Sequence, residues 1–283
     1  MKVLRLLPPI LLAATLLHGQ KYGIHLAPAE HAGHKYLVSA KGTTFRLMSA
    51  GERILSKEDY RVEFEGRAEI LEVDGKGQAV RIAFTAGKFT KITGDEAVEL
   101  LKPGSVVISD GGLEEPISLK DGEIGEEARQ AFGLVHQAHK PGSVTDDQIF
   151  GTTEPKSIGE RWLVNPKLAA GQLTDTGVEI PPEHMHGSVE LTAKDKVAGS
   201  ECLSMRGDLQ ADGFAVKSLP PGFALDRGTV QATFRGCFPV SGLASSYRTG
   251  VDMAVDMHLT SKDGSIDMTF KQGTDATWTD SGK

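Results

Sequence analysis

The chain has 283 residues, 39% hydrophobic and 6% aromatic, with a net charge of −7 at neutral pH. That acidity repels nucleic acid and anionic membrane surfaces, which excludes both as main partners. Only two cysteines are present, so a disulfide-dense miniature scaffold is excluded as well.

Met1 to about Gln20 reads as a secretory signal peptide. Lys2 and Arg5 precede an apolar run from Leu6 to Leu17, and Gly19 and Gln20 follow. The run is about a dozen residues, short of the ~20 that span a bilayer, and it contains the helix breakers Pro8 and Pro9. Cleavage leaves roughly 263 residues and a net charge near −9, because Lys2 and Arg5 go with the leader. No later apolar run is long enough to span a membrane. An exported protein, periplasmic or extracellular and without a transmembrane span, is the expectation.

Residues 21–41 show no clear period and are expected to form an irregular arm. From Gly42 the pattern is β. Tyr60, Val62 and Phe64 alternate with Arg61, Glu63 and Glu65, leaving one face apolar. The run reaches Val73, the stretch Asp74-Gly75-Lys76-Gly77 supplies a turn, and Val80, Ile82 and Phe84 alternate on the way back. This is a long antiparallel hairpin. Residues 95–102 suggest a short helix stopped by Pro103-Gly104. Short strands are expected at Val106–Ile108 and Pro116–Leu119.

The best helix spans Ile124–His139. Ile124, Ala128, Ala131, Phe132, Val135 and Ala138 share one face, Glu123, Glu126 and Glu127 suit the positive end of the dipole, and Pro141-Gly142 ends it. One apolar stripe means the helix lies across a sheet, and Phe64, Val80, Ile82, Phe84, Phe132 and Val135 are the candidate apolar surface. They are either buried under the helix or left open to a ligand.

Residues 140–160 read as a connection between halves. The second half returns to β at Arg161–Val164, Gly187–Ala193, Val197–Leu209, Gly228–Val240, Tyr247–Ser261 and Ser265–Gln272, with a turn at Lys262-Asp263-Gly264. Val251, Met253, Val255 and Met257 form one apolar face, and Ile266, Met268 and Phe270 match them on the return strand. The methionines suit core filling better than metal handling. The fold class is therefore mainly β, a β-rich α+β protein. Long hairpins fill two halves, 42–150 and 151–283, with the one main helix packed on the first.

Cys202 and Cys237 are an even pair in a chain bound for an oxidising compartment, and are expected to bridge. Closing that loop contributes roughly 3–4 kcal/mol in chain-entropy terms. His184 and His186 are the best candidate metal ligands, since alternate residues of an extended segment project to one side, but no third ligand with diagnostic spacing accompanies them. His25, His31 and His34 form a looser cluster in the arm. His136 and His139 fall at the expected helix C-terminus, where charged imidazoles suit the dipole. Trp162 is expected to seal the joint between the halves. No nucleophile elbow, zinc-protease, P-loop or dinucleotide motif occurs, so no catalytic residue and no cofactor is assigned.

In its long early hairpin with the Val73-Asp74-Gly75 turn, its helix near 124–139 and its Gly159-Glu160-Arg161-Trp162 restart, the chain resembles families of uncharacterised exported bacterial β-proteins. The resemblance covers much of residues 42–210. A more distant likeness is to the half-barrels of lipoprotein carriers, in which a long antiparallel sheet crossed by helices holds a lipid. These likenesses imply a non-catalytic envelope protein whose partner is an apolar small molecule or another envelope protein. The alternatives are a structural or protein-interaction module with a closed core, or a metal-binding protein or hydrolase.

Overall fold

The computed structural model describes residues 20–174, 177–219 and 221–282. The expected leader lies outside these residues, apart from Gln20. The protein is mainly β, with 58% of it in strands and 9% in helices. In chain order the elements are β1 (Lys35–Ala50), β2 (Arg53–Val73), β3 (Ala79–Thr93), β4 (Glu96–Glu99), β5 (Val106–Asp110), β6 (Ile117–Leu119), α1 (Glu126–Gly133) and α2 (Asp146–Phe150). Then come β7 (Arg161–Leu163), α3 (Pro166–Thr174), β8 (Val178–Glu179), β9 (Met185–Val197), β10 (Ser200–Asp212), β11 (Ala215–Val216), β12 (Ala224–Pro239), β13 (Tyr247–Ser261) and β14 (Gly264–Asp280).

Twelve strands form one antiparallel sheet in the order β6-β5-β3-β2-β1-β14-β13-β12-β10-β9-β7, with β4 on β3. β8 and β11 pair separately. The sheet is a meander whose two ends meet in the middle. β1 pairs with β14 continuously from Tyr36 opposite Asp280 to Ser49 opposite Asp267. The halves 42–150 and 151–283 are therefore two wings of one sheet joined along a β1–β14 seam.

The β2–β3 hairpin forms as its alternation dictates. Its turn is closed by Asp74, whose Oδ1 accepts from the Lys76 and Gln78 amides at 2.8 and 3.0 Å. Gly77, rather than Gly75, takes the positive φ (77°) that a side chain would resist. Phe64, Phe84, Phe89 and Phe132 meet edge-on, with centroids 5.2–6.0 Å apart. That geometry suits the aromatic quadrupole. All six residues of the candidate apolar surface are buried, between 0% (Phe132) and 5% (Val80, Ile82, Val135) exposed. The face beneath α1 is a filled core, so these six side chains offer no open surface to a ligand.

Several elements differ from expectation. The arm ends at His34, and strand begins at Lys35 rather than Gly42. Tyr36, Val38 and Ala40 point inward, but the outward Leu37 hides the alternation. Residues 95–102 do not form a helix. The chain reverses at Gly94 (φ 58°), and β4 pairs back on β3, Thr93 opposite Glu96 and Thr90 opposite Glu99. A helix that short is marginal without packing, and a ready strand edge outcompetes it.

α1 covers only Glu126–Gly133 of the expected 124–139. The Leu134 and Val135 amides bond three residues back, to Ala131 and Phe132, which tightens and ends the helix. The expected connection at 140–160 contains α2. Its start is a capping box: the Thr145 side chain accepts from the Gln148 amide while the Gln148 side chain accepts from the Thr145 amide. α3 begins at Pro166 after Asn165, whose Oδ1 accepts from the Leu168 amide at 3.2 Å.

The cysteines are joined as expected. Cys202 and Cys237 form a disulfide with Cα atoms 5.3 Å apart, bridging β10 and β12. Trp162 is buried on β7, and its Nε1–H donates to the Phe150 carbonyl at 2.7 Å, tying the second wing to α2.

Candidate functional site: an apolar strip left half-covered

Opposite residues in an antiparallel ladder share a face, so the pairing fixes which side chains stand beside each other. On the helix-bearing face one row runs Ala211, Val230, Val255, Phe270, Arg46, Glu58 across β10, β12, β13, β14, β1 and β2. A second runs Leu209, Ala232, Met253, Gln272, Thr44, Tyr60, and a third Gly207, Phe234, Val251, Thr274, Gly42, Val62. The outer members of these rows are covered. Ala211 and Val230 belong to a buried cluster with Ile149 of α2, Ala169 and Ala170 of α3, and Phe214. Val62 belongs to the cluster under α1.

Between the two covers the floor is only partly covered, with Val255 and Met257 packed against the cluster under α2 and α3. Val251 is 46% exposed, and Met253, Val255, Met257, Met268, Phe270 and Met48 are half-buried. The margins are defined by close packing. At one margin the Thr274 hydroxyl donates to the Leu134 carbonyl at 2.7 Å. A Cβ on Gly42 would lie 2.7 Å from both the Leu134 Cβ and its oxygen, so only glycine lets the end of α1 settle there. At the other margin the Phe150 ring of α2 packs 4.7 Å from Phe234. Phe214 closes over Gly228, where a Cβ would meet the ring at 2.4 Å. The far end is rimmed by Arg46, whose guanidinium lies 5.2 Å from the Phe270 centroid and 3.6 Å from Glu58. Val251 to Met257 spans about 20 Å of strand. The result is a shallow apolar strip along β13, β14 and the end of β1, with a charged rim.

The opposite face of the same strands is polar. Arg235 pairs with Asp252 and, at 2.7 Å, with Asp275, while His258 meets Asp267 at 2.6 Å. A hollow of about 260 Å³ is bounded by Arg227, His258 and Asp267 on one side and Thr229, Asp256 and Thr269 on the other. Its floor is the intervening row Gly228, Met257 and Met268, so it is a gap between rows of side chains on this face. A similar hollow lies between Leu37 with Thr279 and Ser39 with Glu65 and Thr277. Neither has the enclosure that holds a small molecule.

His184 closes a 3₁₀ turn (Pro182–His184) and meets Asp212 at 3.1 Å, whereas His186 lies on β9 opposite Gln210. Among the described residues no group of three or more His, Cys, Asp or Glu side chains is placed to hold a metal ion.

The dipole role expected of His136 does not apply, because α1 ends before it. Its imidazole packs against Phe84, Phe132 and Trp278, bonds to the Ser109 hydroxyl at 3.0 Å, and is pushed down to about 4 by desolvation. His34, expected to be exposed in the arm, is buried. It stacks on His31 (4.9 Å) and lies between Glu30 and Asp280. The sequence signal for this junction is the Glu30, His34, Tyr36 spacing before a strand, which carries no diagnostic motif.

Neither a protein family model nor a curated protein sequence matches the chain. Among solved structures, P47 from Clostridium botulinum A2 is similar over 83% of this chain and 81% of that chain, at 9% identity and a TM-score of 0.17. At that level of superposition the likeness implies nothing about fold or activity. Among the described residues no helix is long and apolar enough to cross a membrane.

Proposed function

We propose that this is an exported, non-catalytic envelope protein that docks an apolar segment of another envelope component on the strip along β13, β14 and β1. The carrying observation is the half-open row from Val251 to Met257, facing Met268 and Phe270, between two helix-covered cores. Exposed apolar area that is contiguous and rimmed by charge is a common feature of interaction sites. Three methionines, Met253, Met257 and Met268, give the floor a side chain that adapts to differing partners. A shallow strip favours a macromolecular partner over a small ligand, because small ligands need most of their surface enclosed.

Export rests on the leader's charge and apolar layout and on the disulfide, which persists in oxidising compartments. A second reading, a structural module with a closed core, is favoured by the filled packing under α1. A photo-crosslinking amino acid at Met253, on the strip, and at Ala254, on the opposite face, separates the two in the exporting cell. Docking on the strip predicts a discrete adduct from position 253 and none from 254. Equal adducts from both positions, or none from 253, would remove the docking reading.

A further inference from the structure

Residues 20–34 cross the end of the sheet as a strap between the wings. Tyr22 and Lys156 exchange amide bonds at 2.9 Å, and Ile24 and Leu26 are buried against Trp162 and Leu191 in the second wing. The Leu26 amide donates to Asp147 Oδ1 at 2.6 Å. Ala29 bonds to Gly242 and Ala244, beyond β12. One residue later the Glu30 amide donates to Gly77 at the β2–β3 turn, and Gly33 donates to Ile70 on β2. The crossing from one wing to the other thus occurs at Glu30.

The Glu30 side chain there is 6% exposed and His34 is 9% exposed. Tyr36 of β1 donates its hydroxyl to Glu30 Oε1 at 2.6 Å. Glu30 Oε2 and His34 Nδ1 face each other at 3.3 Å, yet both are buried without a well-directed hydrogen bond. His34 Nε2 lies 3.4 Å from Asp280 of β14, His31 of the strap stacks on the other imidazole, and burial, with the charge of Glu30, raises the pKa of the Tyr247 hydroxyl of β13. Two carboxylates therefore flank one imidazole.

We propose that this Glu30–His34–Asp280 junction is a pH-dependent latch on the strap, which tightens in acid and slackens as pH rises. The imidazole of His34 separates the Glu30 and Asp280 carboxyl groups, so an ionised Glu30 places a second negative charge in a buried site that already faces Asp280. The balance on Glu30 runs the same way. Burial raises its pKa above the ordinary carboxylate value, so its stabilising contribution is present in acid and is lost as pH rises through the raised value.

The test is amide hydrogen exchange on the intact protein from about pH 5 to about pH 8, corrected for intrinsic rates. Protection of the Glu30 and Gly33 amides should fall about tenfold across that range. The Phe64 and Ile82 amides in the core serve as the reference and should run the other way, losing protection towards the acid end as the unfolded chain takes up the proton that buried His136 refuses. Glu30→Gln, still able to accept from Tyr36, should keep its acid-level protection throughout. His34→Gln, which keeps the buried Glu30 carboxyl, should retain the parent's slope. Strap protection that follows the core amides at every pH in the parent overturns the latch. So does a Glu30→Gln variant that retains the parent's slope. If Glu30→Gln does not fold, the parent profile and His34→Gln decide the matter alone.

Discussion

The face under α1 and the strip along β13 and β14 are built from the same sequence pattern and end in different states. In both, large apolar residues alternate with charged ones along long antiparallel strands. Under α1, Phe64 and Phe84 are about 1% exposed because Phe132 descends onto them. On β13, Val251 is 46% exposed because α1 has ended at Gly133 and α2 reaches only as far as Phe234. Alternation specifies that a face is apolar. What covers it is decided by where helices stop, and that depends on capping and on close approaches such as Gly42 to Leu134.

Substitutions that break this contrast sort by size. Phe132→Ala should cost about 3–5 kcal/mol, read by chemical denaturation, because it empties the centre of a four-ring cluster. Val251→Ala, on the open strip, should cost less than about 1 kcal/mol. Equal losses would mean that the two faces are covered alike. Replacing Cys202 and Cys237 together by alanine should cost about 3 kcal/mol, since the bridge closes a loop across 35 positions. The same variant should leave strip binding unchanged, because Cys237 stands opposite Arg248, beyond the Val251–Met257 stretch of β13.

Acid should act on the closed core and spare the strip. His136 is held down to about 4 in the folded protein, against an ordinary value near 6.5. Above pH 6.5 the imidazole is neutral in both states and the full stability is present. As pH falls from 6.5 towards 4 the unfolded chain takes up a proton that the folded protein refuses, so stability is lost, on the order of 2–3 kcal/mol. Urea midpoints across that window should fall in the parent and flatten in His136→Leu. At the small end, Gly42→Ala should destabilise by about 1–3 kcal/mol, because the added methyl must displace the end of α1. It should also widen the strip.

The same contrast shows what was legible in the residues themselves. The β2–β3 and β13–β14 hairpins, the disulfide and the burial of Trp162 all rest on local pattern or simple counting, and all are present. The β1–β14 seam was not legible, because it pairs residues such as Val38 and Trp278 that are far apart in the chain, and nothing local marks the partnership. α2 and α3 are five and nine residues long, too short for a convincing apolar period. Their caps, Thr145 with Gln148 and Asn165 with Pro166, were the available signals. For the candidate site the apolar face of β13 was legible from Val251 to Met257, and its exposure was not. Exposure depends on α1 stopping at Gly133, ahead of the Pro141-Gly142 pair that reads as its end.

The central claim is that the strip on β13 and β14 is an open apolar docking surface. It is tested most directly by binding of a fluorescent apolar probe, 1-anilinonaphthalene-8-sulfonate, to the native parent and to a Val251→Glu, Met257→Glu variant, with thermal melting recorded on both. The account predicts saturable binding by the parent, loss of at least about tenfold in affinity in the variant, equivalent to 1.4 kcal/mol, and melting temperatures that differ little. A parent that binds no probe, or a variant that binds it as tightly as the parent, would contradict it.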